Sequence, residues 1–376
     1  MHTIENSKNT LQTLLQTVQE QAQRAQDYLA PTNQLLFATG RDDNGDPSSQ
    51  IIIEGHHGDK TKALAVNSVC FDQIAQRANL DVRTARRLQS DYSSEYDRLI
   101  NAIWDKESEV RMVRTFMSNE NTGTARAFVS KSFKTFDNVN LLQSALPLLM
   151  DSPAQWKVVN GSVTDKRLYL RLKSEQITGT GAAVGDLMAL GIGLSNSEVG
   201  SGSVSVYQMF WTLACLNGMQ TGNKHRSSHV TSARDGDQWT LLTEEAKNAD
   251  NHALELKVRD LVANFASAQA FDEVLDKMRT AAGDVLAPET GAQDAVARLG
   301  KVLTLTKTET ASVLDGLLKT IGQSGYAGQP VSRATLLNAV TASAHNAAAD
   351  DVDLWQQRGG RVLDLSSNDW HYVSAA

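Results

Sequence analysis

The sequence predicts an α+β protein with a central antiparallel sheet, packed helices, a helical N-terminal segment and a mostly helical C-terminal lobe. Three observations predict this class. Apolar residues recur at helical spacing near the N-terminus, short runs rich in Val, Leu, Phe and Tyr fill the middle third, and helical periodicity dominates after Trp239. We expect three regions, at residues 1–105, 106–240 and 241–376.

The N-terminal region combines helices with two short strands. Residues 9–29 place Leu and Ala at helical spacing among glutamines, which predicts an amphipathic helix. The segments "NQLLFATG" and "SQIIIEG" predict strands around a turn rich in Asn, Gly and Asp. Helices follow, with a break near Asn79. This break resembles a helix-turn-helix, but two helices that share an apolar face explain it equally well, and we favour that interpretation.

The middle region changes to a strand pattern. The predicted strands are "RMVRTFMS", "TARAFVS", "WKVVNGSV", "RLYLRLK" and "LMALGIGLS". A helical piece, "NVNLLQSALPLLM", interrupts them. Residues 204–217, "VSVYQMFWTLACLN", predict a buried helix that ends at Asn217 and Gly218. Near the C-terminus, a Gly-Gly pair followed by "RVLDLS" predicts a final strand.

Bulk composition favours an ordinary globular protein of a reducing cytoplasm. The chain has 376 residues, 41% of them hydrophobic and 21% charged. The only cysteines are Cys70 and Cys215, so we expect no disulfide framework. We expect no membrane segment, since no stretch approaches the ~20 apolar residues that a span needs.

Charge is uneven along the chain, although the formal net charge is -7. Residues 156–173 hold five basic residues and one acid, and residues 217–234 hold three basic residues and no acid. Between residues 241 and 300, eleven acids outnumber six bases. We therefore expect any anion-binding surface in the middle third.

Motifs for nucleotides, metals and nucleophilic catalysis are incomplete. The loop "GSGSVS" lacks the lysine of a phosphate-binding loop, and "GTGAAVGDL" lacks the strand and helix of a dinucleotide site. His225 and His229 supply two metal ligands where a structural zinc site needs four. Glu198 has the position of a capping or turn-stabilising acid. We predict no cofactor, no metal and no catalytic residue.

One strand has the composition of a nucleic-acid contact. In "RLYLRLK", alternation places three leucines on one face and basic and aromatic residues on the other. Such a face neutralises phosphates and stacks on bases, and an ordinary solvated strand face is the alternative. The segment "RAFVSKSFKTF" and the exit from "CLNGM" add similar residues. The candidate contacts are Arg126, Lys131, Arg167, Tyr169, Arg171, Lys173, Lys224 and Arg226.

Four segments in order resemble a known family. They are "RAFVSKSFKTFDN", "GIGLSNSEVGSGSVSVYQMFWTLACLNGM", "LLNAVTASAHNA" and "LWQQRGGRVLDLS". They resemble the phage and plasmid proteins grouped as a domain of unknown function, DUF932, over most of the chain, from about Leu64 to Trp370. The resemblance implies a role in the DNA of mobile elements or in interactions of a phage or plasmid with its bacterial host. The stretch after "NGM" is shorter than in many members, which disfavours strong duplex binding.

The predicted architecture is also similar to the core of phage single-strand annealing proteins, a fold-level analogy. We therefore expect a non-enzymatic protein that binds single-stranded DNA and anneals complementary strands in recombination or replication. Its acidic C-terminal lobe would either mediate self-assembly into a homo-oligomer or keep the binding groove clear of wrong partners. The alternative is an interaction factor that captures a host or phage protein.

Overall fold

The computed structural model describes residues 4–54, 60–181, 187–212, 217–229, 240–322 and 328–375. Helices and mostly antiparallel strands make up these ranges, which confirms the α+β class. The strands of the described residues form two sheets instead of the one central sheet predicted. We call them the N-terminal sheet, of strands β1 to β6, and the second sheet, of strands β7 to β11.

The N-terminal sheet has the strand order β1-β5-β6-β4-β3-β2. Its strands are β1 Ala25–Pro31, β2 Leu35–Arg41, β3 Pro47–Ile53, β4 Lys62–Val66, β5 Val110–Met117 and β6 Thr122–Ser130. Among the described strands of this sheet, only β4 and β6 pair in parallel, and three helices and strand β5 lie between them in the chain. The boundary predicted at residue 105 therefore falls within the residues of one sheet.

Three helices cover one face of the N-terminal sheet. They are α2 Ser68–Arg77, α3 Val82–Asp91 and α4 Ser93–Lys106. Asn79 takes a left-handed backbone with a φ of 55°, which confirms the break predicted there. Arg86 of α3 pairs with Asp72 at 2.6 Å and lies over the Phe71 ring, so α3 packs on α2. These contacts support the packing interpretation of the helix pair.

The second sheet is antiparallel in the order β11-β10-β9-β8-β7. Its strands are β7 Trp156–Val163, β8 Leu168–Thr180, β9 Leu187–Asn196, β10 Val204–Thr212 and β11 Asn217–Ser227. The helix predicted over residues 204–217 is wrong, since β10 and the start of β11 occupy its described part. Every residue of β10 is buried, and a strand buried on both faces shows a continuous apolar run instead of alternation.

Helices enclose the second sheet on both faces. They are α1 Ile4–Arg24, α5 Asn138–Met150, α6 Glu244–Phe265, α7 Ala268–Gly283, α8 Ala292–Val302, α9 Lys307–Ile321, α10 Arg333–Ala342, α11 Ala349–Leu363 and α12 Ser367–Ser374. The leucines of β8 pack with α1, α5 and α6 in one core. Among the helices of the described ranges, none has the length and apolar character that crossing a bilayer requires.

The strand predicted after the Gly-Gly pair is wrong, because residues 359–363 continue helix α11. A Cβ on Gly359 would lie 2.3 Å from the Thr341 side chain of α10. The glycine therefore permits two helices to approach closely, and Val362 is buried in the same core. A glycine pair predicts a turn from sequence, but here close packing is the reason for the small residue.

Helix α11 covers one face of the second sheet, which we call the polar face because it carries Arg171, Tyr207 and Gln220. One buried carboxylate of the helix contacts all three. Asp353 accepts hydrogen bonds from Arg171 at 2.6 Å, from the Tyr207 hydroxyl at 2.8 Å and from Gln220 at 3.0 Å. Burial raises the pKa of Tyr207 well above its usual range. Gly193 of β9 leaves room for the Tyr207 ring, since a Cβ there would lie 2.0 Å from it. Asp353 thus joins three strands to one helix.

We predict that Asp353→Ala destabilises the protein by about 3 to 5 kcal/mol. The substitution leaves Arg171 as a buried charge without its partner, which is the costly way to break a buried pair. Asp351→Ala, two residues earlier on the exposed face of α11, should change stability by less than about 0.5 kcal/mol. Urea denaturation followed by circular dichroism measures both. Equal effects of the two substitutions would contradict the assigned role of Asp353.

Candidate functional site

Two of the predicted nucleic-acid contacts face helix α11 instead of solvent. Tyr169 is 0% exposed, and its hydroxyl donates to the Asp350 carbonyl oxygen at 3.4 Å. Arg171 is 3% exposed and paired with Asp353. The predicted alternation along β8 is correct, but the exposed basic face is wrong for these residues, because α11 covers it. Neither residue can reach a nucleic acid in this structure.

The remaining candidates lie on different parts of the molecule. Arg226 is exposed and donates to Gln357 at 3.3 Å, Lys131 is exposed after β6, and Lys173 is half-buried. The Lys224 side chain lies outside the described residues, although its backbone belongs to β11. Of the eight candidates, Arg126 and Arg167 line one and the same cavity.

The metal candidates do not form a site in the described part of the chain. His229 is buried, with its ring nitrogens 2.9 Å from the Asn196 side-chain oxygen and 2.8 Å from the Lys134 carbonyl oxygen. Cys215 and most of the loop "GTGAAVGDL" lie outside the described residues. Within the described ranges, no three His, Cys, Asp or Glu side chains are grouped as metal ligands.

A cavity of about 370 Å³ lies where the two sheets meet, and we call it the junction cavity. The end of α1, strands β5 and β6, the turn between β7 and β8, and the loop between β9 and β10 form its walls. Its lining residues are Gln21, Arg24, Asn67, Phe116, Thr124, Arg126, Asn138, Val163, Thr164, Asp165, Lys166, Arg167, Glu198 and Val199. Sequence elements that are far apart therefore supply one polar site.

Arg126 is the most deeply buried cation of the junction cavity, at 4% exposure. Its Nη1 donates to a carboxylate oxygen of Glu198, and its guanidinium lies 4.2 Å from the centre of the Phe116 ring. Among the described residues, nothing accepts a hydrogen bond from its Nε or Nη2. A buried guanidinium with unused donors is costly unless a ligand or water accepts from it.

Glu198 is held on both of its carboxylate oxygens. One accepts from Arg126, and the other accepts from the Asn138 backbone N–H at 2.6 Å, at the first residue of α5. A carboxylate at a helix N-terminus satisfies an N–H that has no partner within the helix. The capping role predicted for Glu198 is thus confirmed, and the buried ion pair with Arg126 is an addition that the sequence did not indicate.

The loop of residues 197–203, which we call the joint loop, positions Glu198 between the two sheets. The Glu198 carbonyl oxygen accepts from Arg114 of β5 at 2.8 Å. The Val199 carbonyl oxygen accepts from Gln73 of α2 at 2.7 Å. Gly200 takes a φ of +77°, a backbone conformation that side chains rarely adopt. Gly200 of "SNSEVGSG" therefore serves a turn, as the sequence predicted.

Arg114 is a supporting residue that the sequence patterns above do not single out. It is fully buried and also pairs with Asp27 at 3.0 Å and Asp137 at 2.8 Å. These two carboxylates raise the pKa of Arg114 against the opposing effect of burial. Its signal in the sequence is an arginine in the middle of the apolar run "RMVRTF", since such a cation needs buried partners.

The rim of the junction cavity carries further cations. Lys166 and Arg24 are exposed, and Arg24 donates to the Met117 carbonyl oxygen at 3.1 Å. Arg167 donates from two nitrogens to the Ser201 carbonyl oxygen of the joint loop. Four cations and two carboxylates, Asp165 and Glu198, line the cavity. The site is therefore positive in a chain whose net charge is -7.

Comparisons with protein-family models, curated proteins and solved structures find no match to this chain. Membership of the DUF932 family therefore stays a prediction from the sequence segments. The geometry by itself shows a cavity at the junction of two sheets, lined by more cations than carboxylates.

We predict that Glu198→Ala alone costs about 3 to 5 kcal/mol of stability, because Arg126 loses its partner while buried. The double substitution Arg126→Met with Glu198→Gln should cost only about 1 kcal/mol. It removes both charges and keeps an oxygen for the Asn138 N–H. Urea denaturation at neutral pH compares them. A double variant as unstable as Glu198→Ala would mean that the charges themselves hold the sheets together.

Alkaline pH should destabilise the protein through Tyr169. Burial raises its pKa to about 12, whereas an unfolded tyrosine ionises near 10. The unfolded chain therefore loses this proton first, and the free energy of unfolding falls as the pH rises from 10 to 12, by roughly 2 kcal/mol from this group. Tyr169→Phe should reduce the fall. Urea denaturation of the protein and of the variant across this pH range measures it, and an equal fall in both would contradict the prediction.

Proposed function

We propose that the protein binds single-stranded DNA of a phage or plasmid by phosphate contacts, without an enzymatic step. The contacts would lie at the mouth of the junction cavity and not on the polar face of β8. One observation carries the proposal: Arg24, Arg126, Lys166 and Arg167 line a single cavity in an acidic chain. Phosphate neutralisation supplies most of the affinity in sequence-independent binding.

The exposed rim of the cavity would allow a nucleic-acid strand to bind. Lys166 and Arg24 are exposed, so phosphates outside the cavity can reach them. Phe116 is a half-buried ring in the cavity wall and would contact a base, a role that the buried Tyr169 cannot fill. Bases turned away from the rim would keep their pairing edges free, which suits annealing. The resemblance to mobile-element proteins supports the setting.

The test is fluorescence anisotropy with single-stranded and double-stranded oligonucleotides over a salt series. We predict binding of the single strand at ~50 mM salt and weaker binding of the duplex. Each cation that no longer neutralises a phosphate should make the slope of log affinity against log salt shallower by about 0.7, so Arg24→Ala with Lys166→Ala should reduce it by about 1.4. Absence of single-strand binding at ~50 mM salt would refute the proposal.

Lys301→Ala is the matched control for these substitutions. Lys301 is an exposed lysine of α8 in the C-terminal lobe and lines no part of the junction cavity. Its removal changes the net charge by the same amount as Lys166→Ala. An equal loss of affinity in Lys301→Ala would show that binding follows overall charge and not the cavity.

An interaction factor is the second candidate, and one surface favours it. Met150, at the end of α5, is 72% exposed and borders a cavity of about 580 Å³ lined by Leu146, Trp156 and Leu172. Exposed apolar surface of this kind is common at protein contacts. Nuclease-resistant capture of a stoichiometric partner, abolished in Met150→Glu, would favour this role over DNA binding. Self-assembly through the acidic lobe stays a prediction.

A further inference from the structure

We infer that the junction cavity binds a phosphomonoester, the terminal phosphate of a strand or of a free nucleotide, and not an internal phosphodiester. The inference rests on the proposed function for the nucleic-acid nature of the ligand and adds which phosphate is bound. Three features of the cavity support it: the unused donors of Arg126, the charge of the lining and the volume.

The Arg126 guanidinium, in the wall of the cavity, retains donors that are buried there. One nitrogen donates to Glu198, whereas Nε and Nη2 find no acceptor among the described residues. Glu198 and the Phe116 ring hold the plane of the guanidinium. A planar cation with two donors left over matches the oxygens of a phosphate, which arginine binds in a bidentate manner.

The charge of the lining matches a monoester better than a diester. The four cations of the lining exceed its two carboxylates by two charges. A phosphomonoester carries about -1.5 to -2 at pH 7, whereas an internal phosphodiester carries about -1. A monoester therefore neutralises the site and a diester does not. Glu198 does not repel the ligand strongly, because its oxygens are occupied by Arg126 and by the Asn138 N–H.

The volume of the cavity limits the length of the ligand. A volume of about 370 Å³ lies near the lower end of the range for small-molecule sites, roughly 300 to 1,000 Å³. It admits one nucleotide and not a length of strand. A chain that continues beyond the cavity must leave along the rim, past Arg24 and Lys166. A terminal nucleotide therefore fits the cavity, with the rest of the strand on the rim.

Oligonucleotides of one sequence with a 5′-phosphate, a 3′-phosphate or hydroxyl ends separate these ligands in anisotropy experiments. A phosphorylated end should bind about tenfold more tightly, the expected gain from one additional charge-assisted hydrogen bond. The preference should fade as the pH falls below about 6, where the monoester loses its second charge. Adenosine monophosphate and adenosine, compared by calorimetry, test the free nucleotide.

Variants show which residues produce the preference for a phosphorylated strand end. Arg126→Met with Glu198→Gln should abolish it, and Lys166→Ala should reduce it several-fold. Lys301→Ala should leave it unchanged. Arg126→Lys, which keeps the charge but not the planar pair of donors, should lose most of the preference if the guanidinium binds the phosphate. Circular dichroism confirms that each variant is folded, and Lys166→Ala tests the site at an exposed residue if the buried variants fail to fold.

The outcomes for the inference and for the proposed function are distinct. Equal binding of phosphorylated and hydroxyl-ended strands would overturn the inference and leave single-strand binding intact. Binding of the monophosphate without binding of any strand would overturn the proposed function and support the phosphomonoester site. Binding of neither strands nor monophosphate would overturn both. A phosphate preference that survives in the Arg126→Met, Glu198→Gln double variant would also overturn the inference.

Discussion

The arrangement of the two sheets depends on the ion pair and the hydrogen bonds of Glu198. Its carboxylate binds Arg126 of the N-terminal sheet and the first N–H of α5, and its carbonyl oxygen binds Arg114. A buried ion pair contributes little net stability, because desolvation offsets the Coulombic attraction, but loss of one partner is costly. The joint between the two sheets is therefore specific and polar, and apolar packing elsewhere supplies most of the stability.

A second buried carboxylate explains why the basic strand does not form a surface. Asp353 binds Arg171, Tyr207 and Gln220 and so fixes α11 over the polar face of the second sheet. Both networks use arginines that the sequence predicted to lie on a positively charged surface. The two networks differ in their surroundings. Helix α11 covers Arg171, which has one buried nitrogen, Nε, without an acceptor among the described residues, whereas Arg126 has two such nitrogens, Nε and Nη2, and lines the junction cavity.

This difference is what separates a structural pair from a candidate site. Desolvated donors are strong attachment points for an anion, because water does not compete there and the local dielectric is low. The same donors are a cost in the free protein. A junction between two sheets tolerates that cost because the surrounding hydrogen bonds of Arg114, Asn138 and Gln73 fix the geometry independently of the ligand.

The sequence by itself determined the α+β class, most of the strands and helices, the break at Asn79 and the glycine turn at residues 197–203, because periodicity and turn chemistry are local properties. It did not determine that β10 is a strand, since a doubly buried strand and a buried helix share an apolar run. It also could not place Arg171 against Asp353 or Arg126 against Glu198, because these partners lie far apart in the chain. Only the tertiary structure decided which cations are neutralised and which are left with unused donors.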